Sequence, residues 1–112
     1  EGRESEEIIS VMQQIVMEIQ ESYQEEITLQ GLAKKYHISE SRLSVKLKEM
    51  QGMSFTKYLT SKRIQKAKEL LADERLSVEQ VAEMVGYKDY YYFTKVFKKS
   101  TGISPSKYRK HL

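Results

Sequence analysis

Cysteine and tryptophan are absent from this chain of 112 residues, and His37 and His111 are the only histidines. The absence of cysteine excludes disulfide bonds, thiol catalysis and cysteine-ligated zinc within the chain. With only two histidines, we expect neither a metal site nor a cofactor. We also expect no enzymatic activity, because nothing in the sequence pairs a nucleophile with a base at a readable spacing.

Long apolar runs and N-terminal targeting signals are also absent. No run approaches the roughly 20 apolar residues that a membrane span requires, and the first residues lack a signal-peptide pattern. Proline occurs once and glycine five times, so loop-forming residues are scarce and good helix formers dominate. The length is that of one domain. These features predict a soluble, cytoplasmic chain with no membrane partner.

The net charge of +3 conceals a strong asymmetry along the chain. Residues 1–27 carry eight acidic side chains and one basic side chain, whereas residues 28–112 carry eighteen lysines and arginines against eight acidic residues. A basic body behind an acidic leader is typical of a domain that binds a polyanion such as nucleic acid. The alternative is an ordinary small soluble domain, since an isoelectric point near 9.0 is common among these.

Apolar residues recur at helical spacing along almost the whole chain, which predicts an all-α fold of about seven helices. We divide the chain into an acidic leading amphipathic helix or linker over residues 1–26 and a second part over residues 27–112. The second part divides into a first helix-turn-helix at about 28–52, a long linker helix at about 54–72, a second helix-turn-helix at about 77–102 and a C-terminal helix at about 104–111.

An internal repeat supports this division. Residues 28–33 read TLQGLA and residues 77–82 read SVEQVA, an offset of 49. After one extra residue in the second turn the offset becomes 50, and Gly52 and Gly102 then end equivalent helices. Each copy is a short capped helix, a tight turn, a longer helix and a glycine stop. This order predicts two helix-turn-helix subdomains in tandem.

The second helix of each repeat is predicted to lie in the DNA major groove, with its side chains opposite the core facing the bases. Serine and threonine hydroxyls donate and accept there, lysine contacts guanine or phosphate, and a valine methyl packs on a thymine methyl. The alternative is that these positions form ordinary solvated helix faces. The predicted base-reading residues are Ser41, Arg42, Ser44 and Val45 in the first repeat and Lys88, Tyr91, Thr94 and Lys95 in the second.

A second set of basic residues is predicted to hold the phosphate backbone, because these side chains lie past the middle of the reading helices or on neighbouring helices. Arg63 has an alternative role as an internal structural partner. The set consists of Lys48, Lys57, Arg63, Lys98, Lys107 and Arg109.

The linker helix sets the expected spacing of the two readers. About eighteen residues at 1.5 Å each extend roughly 27 Å, and successive major-groove faces of B-DNA lie about 34 Å apart. A tandem pair on one chain predicts a monomer that reads two unlike boxes instead of a palindrome.

Three tyrosines, Tyr90 to Tyr92, open the second reading helix. Consecutive helical residues point about 100° apart, so the three rings do not form one stacking surface. We expect Tyr90 to be partly in the core, Tyr91 to face the ligand and Tyr92 to pack at the edge.

The acidic first helix leaves two interpretations open. Its apolar side chains either pack on the first repeat or form a short dimerisation helix. Two heptads are too short to identify a coiled coil. The apolar positions concerned are Ile8, Met12, Ile15 and Ile19.

The segment from about Ile27 to Lys110 resembles the DNA-binding domain of AraC-type (AraC/XylS) transcription regulators. The resemblance rests on Arg63-Ile64, Ala67 and Leu70-Leu71 in the linker helix, on VAEMVGY at residues 81–87, and on FTKVFKKSTGISPSKYR at residues 93–109. It implies two helix-turn-helix subdomains joined by one helix, which bind promoter DNA and contact RNA polymerase. The outward positions named above match the base-reading positions of that family. The tyrosine-rich start of the second reading helix departs from its pattern.

The leading helix is similar to that of YesN-like two-component response regulators. This implies a C-terminal output domain, a missing N-terminal receiver or other regulatory domain, a homodimer of the longer protein and a nucleoid-associated location. Two alternatives remain open at this point: a fragment of a stand-alone or ligand-sensing AraC-type regulator, and a protein-interaction module that has lost DNA binding.

Overall fold

The computed structural model describes residues 2–112, and the side chains from Glu6 onward. Over these residues the chain forms seven α-helices and no strand, which confirms the predicted all-α class. Among the described residues, no helix combines the length and apolar character needed to cross a membrane. The helices are α1 Gly2–Ser22, α2 Leu29–Lys35, α3 Glu40–Gln51, α4 Phe55–Leu71, α5 Val78–Met84, α6 Tyr90–Thr101 and α7 Pro105–Lys110.

The chain divides into two compact units, one ending at Thr60 and the other running from Ser61 to Leu112. The boundary falls inside α4. The predicted acidic leader lies within the first unit, and its helix α1 shares the core of that unit.

The core of the first unit joins α1 to the first helix-turn-helix. Three side chains of α1 are almost fully buried and belong to the same cluster as the buried residues of α2, α3 and the start of α4. The packing interpretation of the first helix is thus confirmed. The buried cluster consists of Met12, Ile15, Ile19, Leu32, Ala33, Leu43, Leu47, Tyr58 and Leu59.

Polar contacts reinforce this packing at the C-terminal half of α1. The Glu18 carboxylate accepts hydrogen bonds from Lys35 Nζ at 2.7 Å and from the Tyr36 hydroxyl at 2.6 Å. Gln20 Nε2 donates to the Tyr58 hydroxyl oxygen at 2.9 Å. The bonds from Lys35, and next from Tyr36, hold the pKa of Glu18 below its ordinary value. These hydrogen bonds connect α1 to α2, to its C-cap residue Tyr36 and to α4. The acidic helix α1 is therefore part of the folded first unit.

The second unit has an aromatic core. Phe93 and Phe97 are fully buried on α6, with ring centroids 5.8 Å apart. The ring of Phe97 meets that of Tyr108 on α7 at 5.5 Å, nearly edge to face. This geometry is favourable for aromatic pairs, and it fixes α7 against the inner face of α6.

Helix ends follow the capping signals in the sequence. Ser77 and Gln80 form a reciprocal capping box at the start of α5. Gly52 and Gly102 end α3 and α6 in the left-handed region, with φ of 73° and 88°. Such residues terminate helices at little steric cost. The two longer helices therefore begin and end at equivalent positions.

Candidate nucleic-acid interface

The two predicted reading helices, α3 and α6, are built alike. Each has 12 residues and ends at a left-handed glycine. Each buries its fourth and eighth residues, which are Leu43 and Leu47 in α3 and Phe93 and Phe97 in α6. The opposite faces of the two helices can therefore be compared residue by residue at an offset of 50.

The turn before each reading helix is also the same in kind. The amide of Ile38 donates to the carbonyl of Ala33 at 3.0 Å, and the amide of Tyr87 donates to that of Ala82 at 2.9 Å. These are the long-range bonds of the Schellman motif, in which the residue before the donor adopts a left-handed conformation. That residue is His37 in the first turn and Gly86 in the second.

On α3, the predicted base-reading residues are accessible to different degrees. Ser41 and Arg42 are exposed, and Val45 is 56% exposed although it is apolar. Ser44 is half-buried at the flank. The α3 surface thus offers a hydroxyl, a guanidinium and a branched apolar group to a ligand.

On α6, the outward face is formed by Tyr91 and Lys95. Tyr91 is 82% exposed, the highest exposure among the large apolar side chains of the described residues. Lys95 is exposed four residues later. Thr94 is half-buried, and its hydroxyl donates to the carbonyl oxygen of Tyr90 at 3.1 Å. Its hydroxyl proton is therefore occupied, and only the oxygen and the methyl group can face a ligand.

Lys88 does not lie on α6, where the sequence analysis placed it. It is an exposed residue of the turn before Asp89, which caps the helix. Four residues separate α2 from α3 and five separate α5 from α6, so the one-residue change of offset falls in this turn. Lys88 reaches out from the turn, not from the reading helix.

The three tyrosines at the start of α6 differ in exposure and in ring contacts. Tyr90 is half-buried and its ring lies 5.5 Å from that of Tyr91. Tyr92 is 57% exposed and contacts the ring of Tyr87 at 6.0 Å. Tyr92 occupies the position that Arg42 holds in α3, and it is a further exposed candidate that the sequence prediction did not include. The offset of 50 was the signal that could have identified it.

Four of the predicted phosphate-binding residues are lysines on exposed surfaces. Lys48 and Lys98 occupy equivalent positions in the second halves of α3 and α6. Lys57 lies in the first turn of α4, and Lys107 lies in α7. Each of the four has an exposed side chain that can approach a polyanion from solvent.

The two predicted phosphate-binding arginines both contact other groups of the protein. The guanidinium of Arg63 lies over the ring of Tyr87, 5.1 Å from its centroid, which is a cation–π geometry. Arg109 donates from Nε to the carbonyl of Leu71 at 2.9 Å and from Nη2 to that of Asp73 at 3.3 Å. Both side chains are half-buried in the second unit. Arg109 therefore supports the C-terminal end of α4, a role that no local pattern in the sequence indicates.

The outward surface of α3 and α6 combines polar, apolar and cationic side chains. Among the described residues, no group of three or more histidine, aspartate or glutamate side chains is placed to hold a metal ion. The exposed faces of α3 and α6 carry hydroxyl, apolar and cationic groups, which are the groups that read base edges and phosphates.

Comparison with known proteins gives consistent matches. A family described as "Helix-turn-helix domain" matches residues 32–111. The raffinose operon transcriptional regulatory protein RafR of Pediococcus pentosaceus is 39% identical over 94 residues, which cover 84% of this chain and 34% of that protein. The chain thus spans about a third of the length of this relative, and 13% of the transcriptional regulator YtdP of Bacillus subtilis.

Two solved structures have closely similar folds. The C-terminal domain of AraT, a response regulator from Geobacillus stearothermophilus, has a TM-score of 0.87 at 35% identity, covering 91% of this chain and 85% of that one. The C-terminal domain of the two-component response regulator yesN from Fusobacterium nucleatum has a TM-score of 0.81 at 38% identity. That match covers 92% of this chain and 98% of the other.

Proposed function

Because this chain belongs to the AraC-type family of helix-turn-helix transcription regulators, we propose that it binds double-stranded DNA sequence-specifically. In this proposal α3 reads one short box in the major groove, named the first box, and α6 reads another, named the second box. The observation that carries the proposal is the duplicated reading helix. Two helices of equal length bury the same positions and expose the same opposite face.

Base reading is assigned to the exposed face of each helix. Serine, arginine and lysine reach donors and acceptors on base edges, and the apolar groups contact thymine methyls. Tyr92 joins this set because it is exposed at the position of Arg42. Lys88 contributes from the turn. The full set is Ser41, Arg42, Ser44, Val45, Lys88, Tyr91, Tyr92, Thr94 and Lys95.

Affinity is assigned mainly to the exposed lysines. Each lysine that neutralises a phosphate releases a condensed counterion, so binding weakens steeply as salt rises. Arg63 and Arg109 are not assigned phosphate contacts, because their guanidinium groups already contact Tyr87 and two backbone carbonyls. The phosphate-binding set is thus Lys48, Lys57, Lys98 and Lys107.

The setting of the domain follows from its similarity to the C-terminal domains of two response regulators. We propose that it is the output domain of a bacterial two-component response regulator, preceded in the longer protein by a receiver domain. In that setting it acts in the cytoplasm at the nucleoid, binds promoter DNA, contacts RNA polymerase and works as a homodimer. The family consists of DNA-binding regulators, not enzymes, and no catalytic step is assigned to the domain.

Selection from a random duplex library at about 150 mM salt, followed by sequencing, tests the proposed function. Enrichment of two short unlike boxes about ten base pairs apart is the expected result for one chain with two readers. Enrichment of a palindrome would show that a dimer binds instead. Binding that never becomes sequence-selective, or no binding at any salt, contradicts the proposal. The second outcome would favour a protein-interaction module.

Two doubly charge-reversed variants test whether the reading face selects the sequence, one as the test and the other as its matched control. Arg42→Glu and Lys95→Glu together reverse one cation on each reading helix and should abolish enrichment. Replacing Lys34 and Lys110 by glutamate changes the net charge equally, at exposed positions outside α3 and α6. This control should weaken binding but select the same two boxes. Loss of both boxes in the control would show that net charge, not the reading face, determines selection.

A further inference from the structure

The two reading helices carry their exposed apolar side chains at different positions. In α3 the apolar group is Val45, the sixth residue, and the second residue is the exposed Ser41. In α6 the order is reversed, because the second residue is Tyr91 and the sixth is the exposed Lys95. The two faces also differ at the third residue, which is Arg42 in α3 and the 57% exposed Tyr92 in α6. The exchange at the second and sixth residues is the difference that moves an apolar group along the helix.

The start of α6 holds Tyr91 in a defined position. Asp89 Oδ1 accepts from the amides of Tyr91 at 2.9 Å and of Tyr92 at 3.2 Å, so the first turn is firmly capped. The ring of Tyr90 meets that of Tyr91 nearly edge to face, with centroids 5.5 Å apart. Tyr91 is thus braced on one side and open to solvent on the rest of its surface.

The cap also determines what can approach this turn. The carboxylate of Asp89 takes up two of the free amides at the N-terminus of α6 and repels a phosphate there. In α3 the equivalent cap is the neutral Ser39, and the acidic residue of the first turn is the exposed Glu40. The first turn of α6 is therefore less suited to the DNA backbone than to a base edge.

The apolar group that a major groove offers is the 5-methyl of thymine. An exposed aromatic ring or a valine side chain on a reading helix gains from covering that methyl group, whereas serine and lysine prefer polar base edges. The position of the apolar side chain then determines where along the box a thymine is favoured.

We propose that each reading helix recognises one thymine methyl, through Val45 in the first box and through Tyr91 in the second. The two contacts differ by four residues, about 6 Å along the helix, or roughly two base-pair steps. The thymine of the second box therefore lies nearer the N-terminus of its reading helix than the thymine of the first. This inference rests on the proposed function.

Uracil substitution tests it, because uracil lacks only the methyl group of thymine. In the duplex selected above, each thymine is replaced singly by uracil and the dissociation constant is measured at fixed salt. One replacement in each box should weaken binding about fourfold, as expected for the loss of one buried methyl group. In each box, the position of the sensitive thymine is counted from the base pair nearest the N-terminus of the reading helix. These two positions should differ by about two base pairs between the boxes.

Single substitutions assign each sensitive thymine to its side chain. Tyr91→Ser reproduces the Ser41 side chain of the first repeat, and it should make thymine and uracil bind equally in the second box only. Tyr91→Phe keeps the ring without the hydroxyl and should preserve the preference for thymine. Val45→Ala should remove the preference in the first box only. Both positions are on exposed faces, so the thermal unfolding of all three variants should match that of the unsubstituted chain.

The experiments distinguish failure of the proposed function from failure of the thymine-methyl inference. If no sequence is selected, the proposed function fails and this inference fails with it. If two boxes are selected but uracil binds as well as thymine throughout the second box, only the inference is overturned. The same holds if the Tyr91→Ser variant still prefers thymine there.

Discussion

His37 and Gly86 occupy the same position in the two helix-turn-helix turns, with backbone φ of 56° and 104°. Each is the left-handed residue of a Schellman motif that ends the first helix of its repeat. Glycine adopts this conformation without steric cost, whereas a residue with a Cβ atom is disfavoured by about 1–2 kcal/mol. The first turn therefore carries a local strain that the second turn avoids.

Exchanging the residue types should shift stability in opposite directions. His37→Gly relieves the left-handed strain and should raise the free energy of unfolding by about 0.5–1 kcal/mol, after allowance for the greater freedom of glycine in the unfolded chain. Gly86→Ala introduces a Cβ at positive φ and should lower the free energy of unfolding by about 1–2 kcal/mol. Urea unfolding measures both. A loss of stability in His37→Gly would show that the histidine side chain itself supports the turn.

Arg109 should act on stability and not on phosphate binding. Its guanidinium supplies donors to the carbonyls of Leu71 and Asp73, and hydrogen bonds from charged donors contribute about 1.5–3 kcal/mol when a partner is removed. Arg109→Ala should therefore lower the free energy of unfolding by about 1.5 kcal/mol and leave the salt dependence of DNA binding unchanged. Thermal unfolding and DNA titrations at several salt concentrations measure the two effects.

Lys107 gives the matched control for Arg109, since it lies two residues earlier in the same helix and is exposed. Lys107→Ala should change stability by less than about 0.5 kcal/mol. It should reduce the slope of log K against log salt by about one, as for the loss of one phosphate contact. An equal reduction of slope in both variants would restore the phosphate role predicted for Arg109 from the sequence.

The helices could be predicted from the sequence because their signals are local. The capping box of Ser77 and Gln80 and the glycine stops at positions 52 and 102 mark helix ends within a few residues of chain. The apolar spacing of α1 indicated which face would be buried, although the spacing alone left dimerisation open. The structure decided for packing, since the partners of Met12 and Ile15 lie on other helices.

Helical geometry could predict which side chains of the reading helices point outward, but not the position of residues outside these helices. The rotation of about 100° per helical residue predicted that Ser41, Val45 and Tyr91 point outward, and all three are exposed. The same geometry does not apply to Lys88, because this residue lies in the turn before α6, which is one residue longer than the turn before α3. It gave no sign of the role of Arg109, since carbonyls that lie 38 and 36 residues away have no local signature.

The contact of Glu18 with Lys35 and Tyr36 should make stability depend on pH in the acidic range. Hydrogen bonds from these two residues keep the pKa of Glu18 below its ordinary value of about 4.5. The folded chain thus binds fewer protons at this site than the unfolded chain does. The stabilisation is present above the unfolded pKa and is lost as pH falls through the lower folded pKa. Glu18→Gln should be less stable than the unsubstituted chain at pH 7, and this difference should vanish at low pH in urea unfolding.

Glu21 is the control for this pH effect, since it lies one turn further along α1 and is exposed. Glu21→Gln should change the free energy of unfolding at pH 7 by less than about 0.5 kcal/mol. A difference between the Glu18→Gln variant and the unsubstituted chain that persisted undiminished at low pH would mean that the carboxylate charge does not stabilise the contact.

Lys95 and Lys98 on α6 should have different roles: Lys95 in sequence specificity and Lys98 in overall affinity. Both are exposed, but Lys95 occupies the sixth position of the reading helix, whereas Lys98 lies three residues nearer its end. Lys95→Ala should weaken binding by about 1–3 kcal/mol at one base pair of the second box and relax selection there. Lys98→Ala should weaken binding to all sequences similarly and reduce the salt slope by about one. Competition titrations with duplexes altered at single base pairs measure both effects. If Lys95→Ala relaxed both boxes equally, the assignment of one box to each helix would be wrong, because α3 does not carry this lysine.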